Sequence, residues 1–556
     1  MDRKPHGKVR ATRPADVRNP RCASGVPHMR APGTLKDTER LCKIVFAMSN
    51  IAVIRDALAA GEGIVRLAPC WVPRSFLMPG GRLKLDPRDL YALGAHRGGI
   101  DERWFSSTTN ADNGPGTPAD EGLSYIAQNG KRVLLKEAIE TAGGEFLGGD
   151  VMSKFGGFNL LCKFFDNLGP IPHHMHQMEE HARKVGRKGK PEAYYFSPQY
   201  NMKENNFPYT FMGLEPGTTK DDVRRCLERW NEGDNGILYH AKAYKLKPGT
   251  GWQIDAGVLH APGSLVTYEP QVNSDVFGMF QSMVEGRPVP WDLLVKDVPP
   301  DHHRDLDYII GMLDWEANVD PEFAAHRWLH PKPVKDEAEM KISGYCENWV
   351  CYGAPFYSAK ELTVFPGRSV TVKDAAAYGL IVVQGWGSIG KLEVETPSMI
   401  RYGAMTKDEL FVTAPVAQGG VVVTNRSDKE NLVMVGSSKD VWAKGMPFLV
   451  FSLVMIRRKT LYEFGLLDEA FNPGAGEDCD FSLKCLQKGY KYRQVPKEFD
   501  CWKTEFPMWH AGHVTCCGVP NWDKTAARNT KILEDRYPRT EADRELQKAF
   551  SRGLQP

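Results

Sequence analysis

Between Ala68 and Val435, short runs of Val, Ile, Leu, Tyr and Phe alternate with clusters of Gly, Pro, Asn and Asp. Examples are GILYHAKAYKLKPGTGWQI, ELTVFPGRSVTV and GLIVVQGWGSIGKLEVE. Runs this brief, closely punctuated by turn-formers, predict an antiparallel sandwich or barrel rather than βαβ units. Helical spacing interrupts the pattern in a few places. Thr219–Glu232 (TKDDVRRCLERWNE) sets Val223, Cys226, Leu227 and Trp230 on one face, behind an acidic first turn that suits the helix dipole. The connector 298–345 reads as partly helical, with His302 and His303 as surface residues.

The chain of 556 residues has room for three or four domains at about 150 residues each. Its net charge of +2 conceals an uneven distribution, because residues 1–45 hold eleven Lys/Arg against four Asp/Glu. The rest carries 60 basic and 65 acidic groups, which excludes a general basic field for nucleic acid. Residues 1–47, rich in Pro, Arg and Gly, read as a disordered basic leader. The longest apolar stretch, near 446–456, is far short of the roughly 20 residues of a membrane-spanning helix. Twelve scattered cysteines, none in a Cys-x-x-Cys pair, fit reduced thiols in a cytoplasmic protein.

The chemistry concentrates in GPIPHHMHQMEEHARKVGRKGKPEAYYF. In a strand, residues i and i+2 share a face, so His174 and His176 aim both imidazoles into one cavity. Glu192 follows in the strand-like PEAYYF, and His260 comes after a Gly-containing turn in GWQIDAGVLHAPGS. Three neutral nitrogens and one carboxylate suit a borderline divalent metal, with zinc first and manganese or iron as alternatives. Glu180, four residues after His176, is the other carboxylate candidate, although the mixed charges of QMEEHARK also suit a solvated face.

These residues resemble the cupin superfamily, and within it the mannose-6-phosphate isomerase type. The resemblance rests on His174-Met175-His176, Lys190-Pro191-Glu192 and Asp255-Ala256-Gly257-Val258-Leu259-His260, and spans about 50–435. It implies a mainly β bicupin core with helical insertions, with a metal-binding cupin at 48–297 and a histidine-free second lobe at 346–435. It further implies His174, His176, Glu192 and His260 as metal ligands, Lys190 near the substrate, and a sugar or sugar phosphate as substrate. Aldose–ketose isomerisation would then proceed through an enediol, with a divalent metal polarising the carbonyl and a base moving the proton. Lys190 could polarise a hydroxyl or act as that base, while the charge run ARKVGRKGK also suits a solvated loop lysine. The chain has His174 where these isomerases usually carry Gln, and shows no copy of their Arg-containing C-terminal phosphate site. The same ligand set serves Fe(II) cupin dioxygenases such as homogentisate dioxygenase.

After about Asn431 the character changes to α/β. Met455-Ile456-Arg457-Arg458, Gly465-Leu466-Leu467-Asp468-Glu469, Gly476-Glu477-Asp478-Cys479-Asp480-Phe481 and Lys488-Gly489-Tyr490 resemble the acceptor-side half of a family 2, GT-A fold glycosyltransferase. The resemblance implies Asp478 as general base, but the upstream nucleotide-binding half and its Asp-x-Asp are absent from the sequence. Residues 440–540 therefore read as an incomplete module, followed by a tail at 541–556, that a partner chain or second copy would complete. Three function classes follow: a sugar isomerase with an incomplete transferase segment, a glycosyltransferase with an accessory cupin, and a non-catalytic sugar-binding cupin.

Overall fold

The computed structural model describes residues 50–202, 208–354 and 356–438, with the single positions 528 and 531. The glycosyltransferase-like segment, including Asp478, and the leader 1–47 lie outside the described residues. The chain is mainly β, built of several antiparallel sheets, as the alternating runs predict.

Two pairs of facing sheets carry the architecture. In the first pair, a seven-stranded sheet runs in the order Trp328–Leu329, Gly251–Ile254, Glu192–Tyr195, Thr267–Val272, Leu160–Phe165, Gly99–Phe105, Cys70–Arg74. Facing it, a five-stranded sheet runs Ala241–Lys245, Tyr209–Leu214, His260–Ala261, His174–Met175, Gly278–Met279. Phe165, Tyr194, Trp252 and Ile254 of the larger sheet pack with Met212 of the smaller, closing one core. The outer side of the five-stranded sheet would expose Met175, Leu214 and Leu259 were it not covered by helices. Lys220–Glu228 does part of this, burying Val223, Cys226 and Leu227 on the face that the spacing predicts. Thr219 caps it in a reciprocal box with Asp222, satisfying two of the free N-terminal amides. The connector contributes Leu306–Gly311, whose Ile309 and Ile310 join the same apolar layer.

The second pair sets a nine-stranded sheet against the four strands Ser369–Val372, Val421–Asn425, Trp386–Ile389 and Leu392–Glu395. Their inward residues, among them Leu380, Val382, Leu410 and Val412 against Ile389, Val394 and Val423, form a separate apolar core. The nine-stranded sheet includes Ile64–Ala68, which pairs antiparallel with Glu409–Val412 (Ile64 opposite Val412). An N-terminal strand thus completes the second lobe before the chain turns back to build the first.

A buried ion pair joins the two lobes. Arg103, on Gly99–Phe105 of the first, grips both Asp408 carboxylate oxygens at 2.8 and 2.9 Å and reaches Glu409 at 3.2 Å. Bidentate geometry of this kind is the strongest form of carboxylate recognition, and here it is fully enclosed. Burial, with Asp408 beside it, raises the Glu409 carboxyl to about 8 against the pull of Arg103.

Candidate metal centre and its charged surround

The strand His174–Met175 lies between His260–Ala261 and Gly278–Met279, and His174 sits directly opposite His260. Directly paired residues in an antiparallel ladder share a face. The imidazoles of His174 and His260 therefore lie side by side, ring centroids 4.2 Å apart. His176, two residues on, turns to the same side, 5.1 Å from His174 and 5.0 Å from His260. Glu192 enters from the facing sheet, where it is paired with Ile254 and Gln271. The turn before His260 depends on Gly257, whose φ is +83° and whose Cβ position would lie 2.8 Å from the Asp314 amide. That amide donates to the Gly257 carbonyl at 3.0 Å, and the Gly257 N–H donates to the His176 carbonyl at 2.7 Å. A side chain at 257 would push apart the segments that carry two of the three histidines.

Second contacts fix the tautomer of each ring. Nδ1 of His174 lies 2.7 Å from the Pro172 carbonyl, that of His176 2.7 Å from the Val276 carbonyl, and that of His260 2.9 Å from the Val258 carbonyl. A carbonyl only accepts, so each Nδ1 carries the proton and donates it, leaving each Nε2 with a lone pair. The three ligand atoms lie within 4.8 Å of one another. Burial pushes the His176 imidazole down to about 3 although Glu192 pulls the other way. His174 is held well below its ordinary value by burial and by its two histidine neighbours.

The Glu192 oxygens lie 3.0 Å from His176 Nε2 and 3.1 Å from His260 Nε2. Burial opposes ionisation of this carboxyl, but the Lys190 ammonium 3.1 Å away holds it well below the usual carboxylate range. Carboxylate lone pairs therefore face imidazole lone pairs. Both Glu192 oxygens and His260 Nε2 are buried without a hydrogen-bond partner. Such a set of converging acceptors is stable around a shared cation, and three nitrogens with one carboxylate fit a divalent metal of the zinc type. Glu180 is exposed on the short helix Glu179–Ala182 and stands apart from this cluster.

Lys190 is buried, its Nζ 3.0 Å from His176 Nε2 and 3.1 Å from Glu192. Beyond it a ladder of buried charges crosses the seven-stranded sheet. Glu269 lies 3.7 Å from Lys190 and 3.3 Å from Lys163, Lys163 lies 3.3 Å from Glu102, and Arg74 bridges Glu102 at 3.2 Å and Asp275 at 3.1 Å. Burial, reinforced by the charge of Glu192, raises the Glu269 carboxyl to about 8 despite Lys163 and Lys190. The metal-type cluster and this ladder line one cleft of about 440 Å³, measured out to its open mouth.

Sequence reasoning did not single out Glu269, Lys163, Glu102, Arg74 or Asp275. A signal existed for the first two. Thr267–Val272 is buried throughout yet alternates Thr267, Glu269 and Gln271 with Tyr268, Pro270 and Val272, and Lys163 is the one charge in LLCKFF. A polar stripe in a buried strand marks a face turned to an internal site.

No family model and no curated protein matches the sequence. Among solved structures, the chain is similar to the mannose 6-phosphate isomerase from Bacillus subtilis, with 16% identity, a TM-score of 0.46, and coverage of 68% of this chain and 99% of that one. A putative mannosephosphate isomerase from Archaeoglobus fulgidus matches at 16% identity and TM-score 0.44, covering 68% and 98% of the two chains. The mannose 6-phosphate isomerase from Salmonella typhimurium, bound to fructose 6-phosphate and zinc, matches at 14% identity and TM-score 0.44, covering 68% and 100%.

Proposed function

We propose that the chain is a metal-dependent aldose–ketose isomerase acting on a sugar or sugar phosphate. The observation that carries this reading is the convergence of three tautomer-fixed Nε2 atoms and the Glu192 carboxylate in a cleft whose next groups are Lys190 and Glu269. In this reading His174, His176, His260 and Glu192 hold the metal. When bound, it supplies Lewis acidity to the sugar carbonyl and the adjacent hydroxyl. Lys190, an enclosed cation, orients a substrate hydroxyl by donating a hydrogen bond. Glu269 takes the proton from one carbon and returns it to its neighbour, a task that favours a carboxyl tuned toward neutral pH. The wall of the cleft keeps bulk water from the transferred proton.

The test is elemental analysis of the purified protein, coupled to interconversion assays of mannose with fructose and of mannose 6-phosphate with fructose 6-phosphate on the same metal-loaded sample. Stoichiometric zinc or manganese with turnover is the expected result. Metal without turnover would replace the isomerase by a sugar-binding cupin, and tightly held iron would move the reading to a dioxygenase. The segment 440–540 enters the proposal as an incomplete glycosyltransferase-like module without transfer activity of its own. Sugar-nucleotide hydrolysis that vanishes in Asp478→Asn would overturn that part. The five described cysteines, all free, support the cytoplasmic reading, and no helix among the described residues is long and apolar enough to cross a membrane.

A further inference from the structure

Among the described residues, each cation lining the cleft stands beside carboxylates in the metal-free structure. Arg74 spends both terminal nitrogens on Asp275 at 3.1 and 3.2 Å, Glu102 at 3.2 Å and Asn113 at 3.0 Å. Lys163 is shared between Glu102 and Glu269, each at 3.3 Å, and Lys190 lies between Glu192 at 3.1 Å and Glu269 at 3.7 Å. Lys296, which stands 4.4 Å over the Phe277 ring, is held by Asp112 at 3.3 Å and Asp297 at 3.5 Å. Among the described residues, the three lining cations thus face four lining carboxylates, Glu102, Glu192, Glu269 and Asp275. Most of the remaining lining is apolar: Phe76, Leu77, Ile171, Pro262, Phe277 and Met279. Met279 sits in register opposite His174, so this apolar wall begins at the metal-type cluster itself.

We infer that the substrate of this cleft is an uncharged, unphosphorylated sugar. The inference rests on the isomerase reading for the word sugar, and on the charge arrangement for the word uncharged. A phosphate monoester carries a charge of about −1.5 to −2 at neutral pH and needs donors that are free to turn to it. Taking Arg74 or Lys163 for that purpose would strand a buried carboxylate, Lys190 stands 3.0 Å from His176 at the metal-type cluster where the carbonyl end of the sugar would lie rather than its far end, and lodging the ester against Phe277 and Met279 would strand the phosphate. A neutral sugar avoids both. Its hydroxyls accept from the lysines and donate to the carboxylates without breaking an ion pair, and its less polar ring face lies on the apolar wall.

The test compares neutral and phosphorylated ligands that differ in nothing else, on the zinc-loaded full-length protein. Calorimetric titration with mannitol and with mannitol 1-phosphate, neither of which can isomerise, reads binding without turnover. The neutral polyol should bind at least about tenfold more tightly, roughly 1.4 kcal/mol, and mannose should exceed mannose 6-phosphate in kcat/KM by a similar factor. Equal or tighter binding of the phosphorylated polyol, or binding of neither, would overturn the inference. Met279→Arg, which brings an uncommitted guanidinium to the apolar wall, should reverse the order. The wild-type ratio decides the matter by itself if that variant fails to fold. Preferred binding of mannitol with no interconversion of either sugar would remove the isomerase reading and leave the charge inference standing.

Discussion

Replacing Glu192 by Gln should move metal affinity and metal-free stability in opposite directions. In the metal-free protein, each Glu192 oxygen lies 3.0–3.1 Å from an imidazole nitrogen whose proton is on the other side of the ring. Neither oxygen receives a proton from an imidazole, and only one of them has the Lys190 ammonium, 3.1 Å away, beside it. A Gln amide donates to one of these nitrogens and leaves its carbonyl toward Lys190. Relief of one unsatisfied buried acceptor is worth about 1–3 kcal/mol, so the chelated variant should be more stable than the chelated wild type. The metal-loaded state changes the other way. Structural zinc sites with four ligands yield about 10–16 kcal/mol, or roughly 2.5–4 kcal/mol for each ligand, so losing the carboxylate should weaken zinc by about two to three orders of magnitude. At zinc one-hundred-fold above the wild-type Kd, the wild type gains about 2.7 kcal/mol on loading and the variant almost nothing. Chelator competition gives the affinity, and scanning calorimetry with and without zinc gives the two stabilities. If Glu192 instead served only to neutralise Lys190, its removal would destabilise the metal-free protein by about 3–5 kcal/mol and leave metal content unchanged. That pattern would refute the ligand assignment.

Three further outcomes follow from the same geometry. His260→Ala should abolish stoichiometric metal, measured by elemental analysis, while circular dichroism remains that of a folded protein. Glu269→Gln should keep its metal and lose about 10²–10⁴ in kcat. A base must be ionised to accept a proton, so wild-type kcat/KM should rise with pH and level off above about 8, where Glu269 titrates; a flat profile from pH 6 to 9 would remove Glu269 from the role. In the lobe interface, Glu409 is raised from the usual carboxylate range to about 8 by burial and Asp408. A folded-state pKa above the unfolded one gives stability that is complete at low pH and is lost as pH rises through the folded value. Above about pH 6.5, where the buried histidines no longer add stability with rising pH, urea unfolding should show stability falling up to about pH 9, by an amount of a few kcal/mol shared with Glu269, and Glu409→Gln should flatten part of that fall.

What could be read in advance was whatever depends on near neighbours along the chain. The shared face of His174 and His176 needs only the two-residue period of an extended backbone, and the buried side of Lys220–Glu228 needs only the helical period. The placement of Lys190 required more. ARKVGRKGK gives no reason for one lysine of the run to be buried, and Lys190 is buried between Glu192 at 3.1 Å and Glu269 at 3.7 Å, the latter presented by the neighbouring strand Thr267–Val272. Glu269, Lys163, Glu102 and Arg74 meet through the register of four strands drawn from distant parts of the sequence. Pairing of Ile64–Ala68 with Glu409–Val412 is equally hidden, since an apolar run of five residues does not announce its partner.

The charged surround also explains a difference between the two lobes. A row of buried charges is costly, and replacing such a row with apolar side chains commonly leaves a protein as stable or more so. The second lobe largely follows that rule among the described residues, with an interior of Leu, Val, Ile and Met and enclosed charges in short contacts: Arg103–Asp408–Glu409 at the lobe interface, and Lys360 between Glu347 and Asp374 at 2.7 Å each. The first lobe breaks it along an unbroken line, from Asp275 and Arg74 through Glu102, Lys163 and Glu269 to Lys190 and Glu192. Each member of that line is held by at least one opposite charge within 3.7 Å. Stability alone gives no reason to keep the line in one lobe when the other folds around an apolar core. Its two ends supply the reason, because one end is the histidine cluster and the whole length is the polar wall of the cleft. The line places donors and acceptors where a polyhydroxylated ligand would meet them, already oriented by one another, so that binding requires little rearrangement.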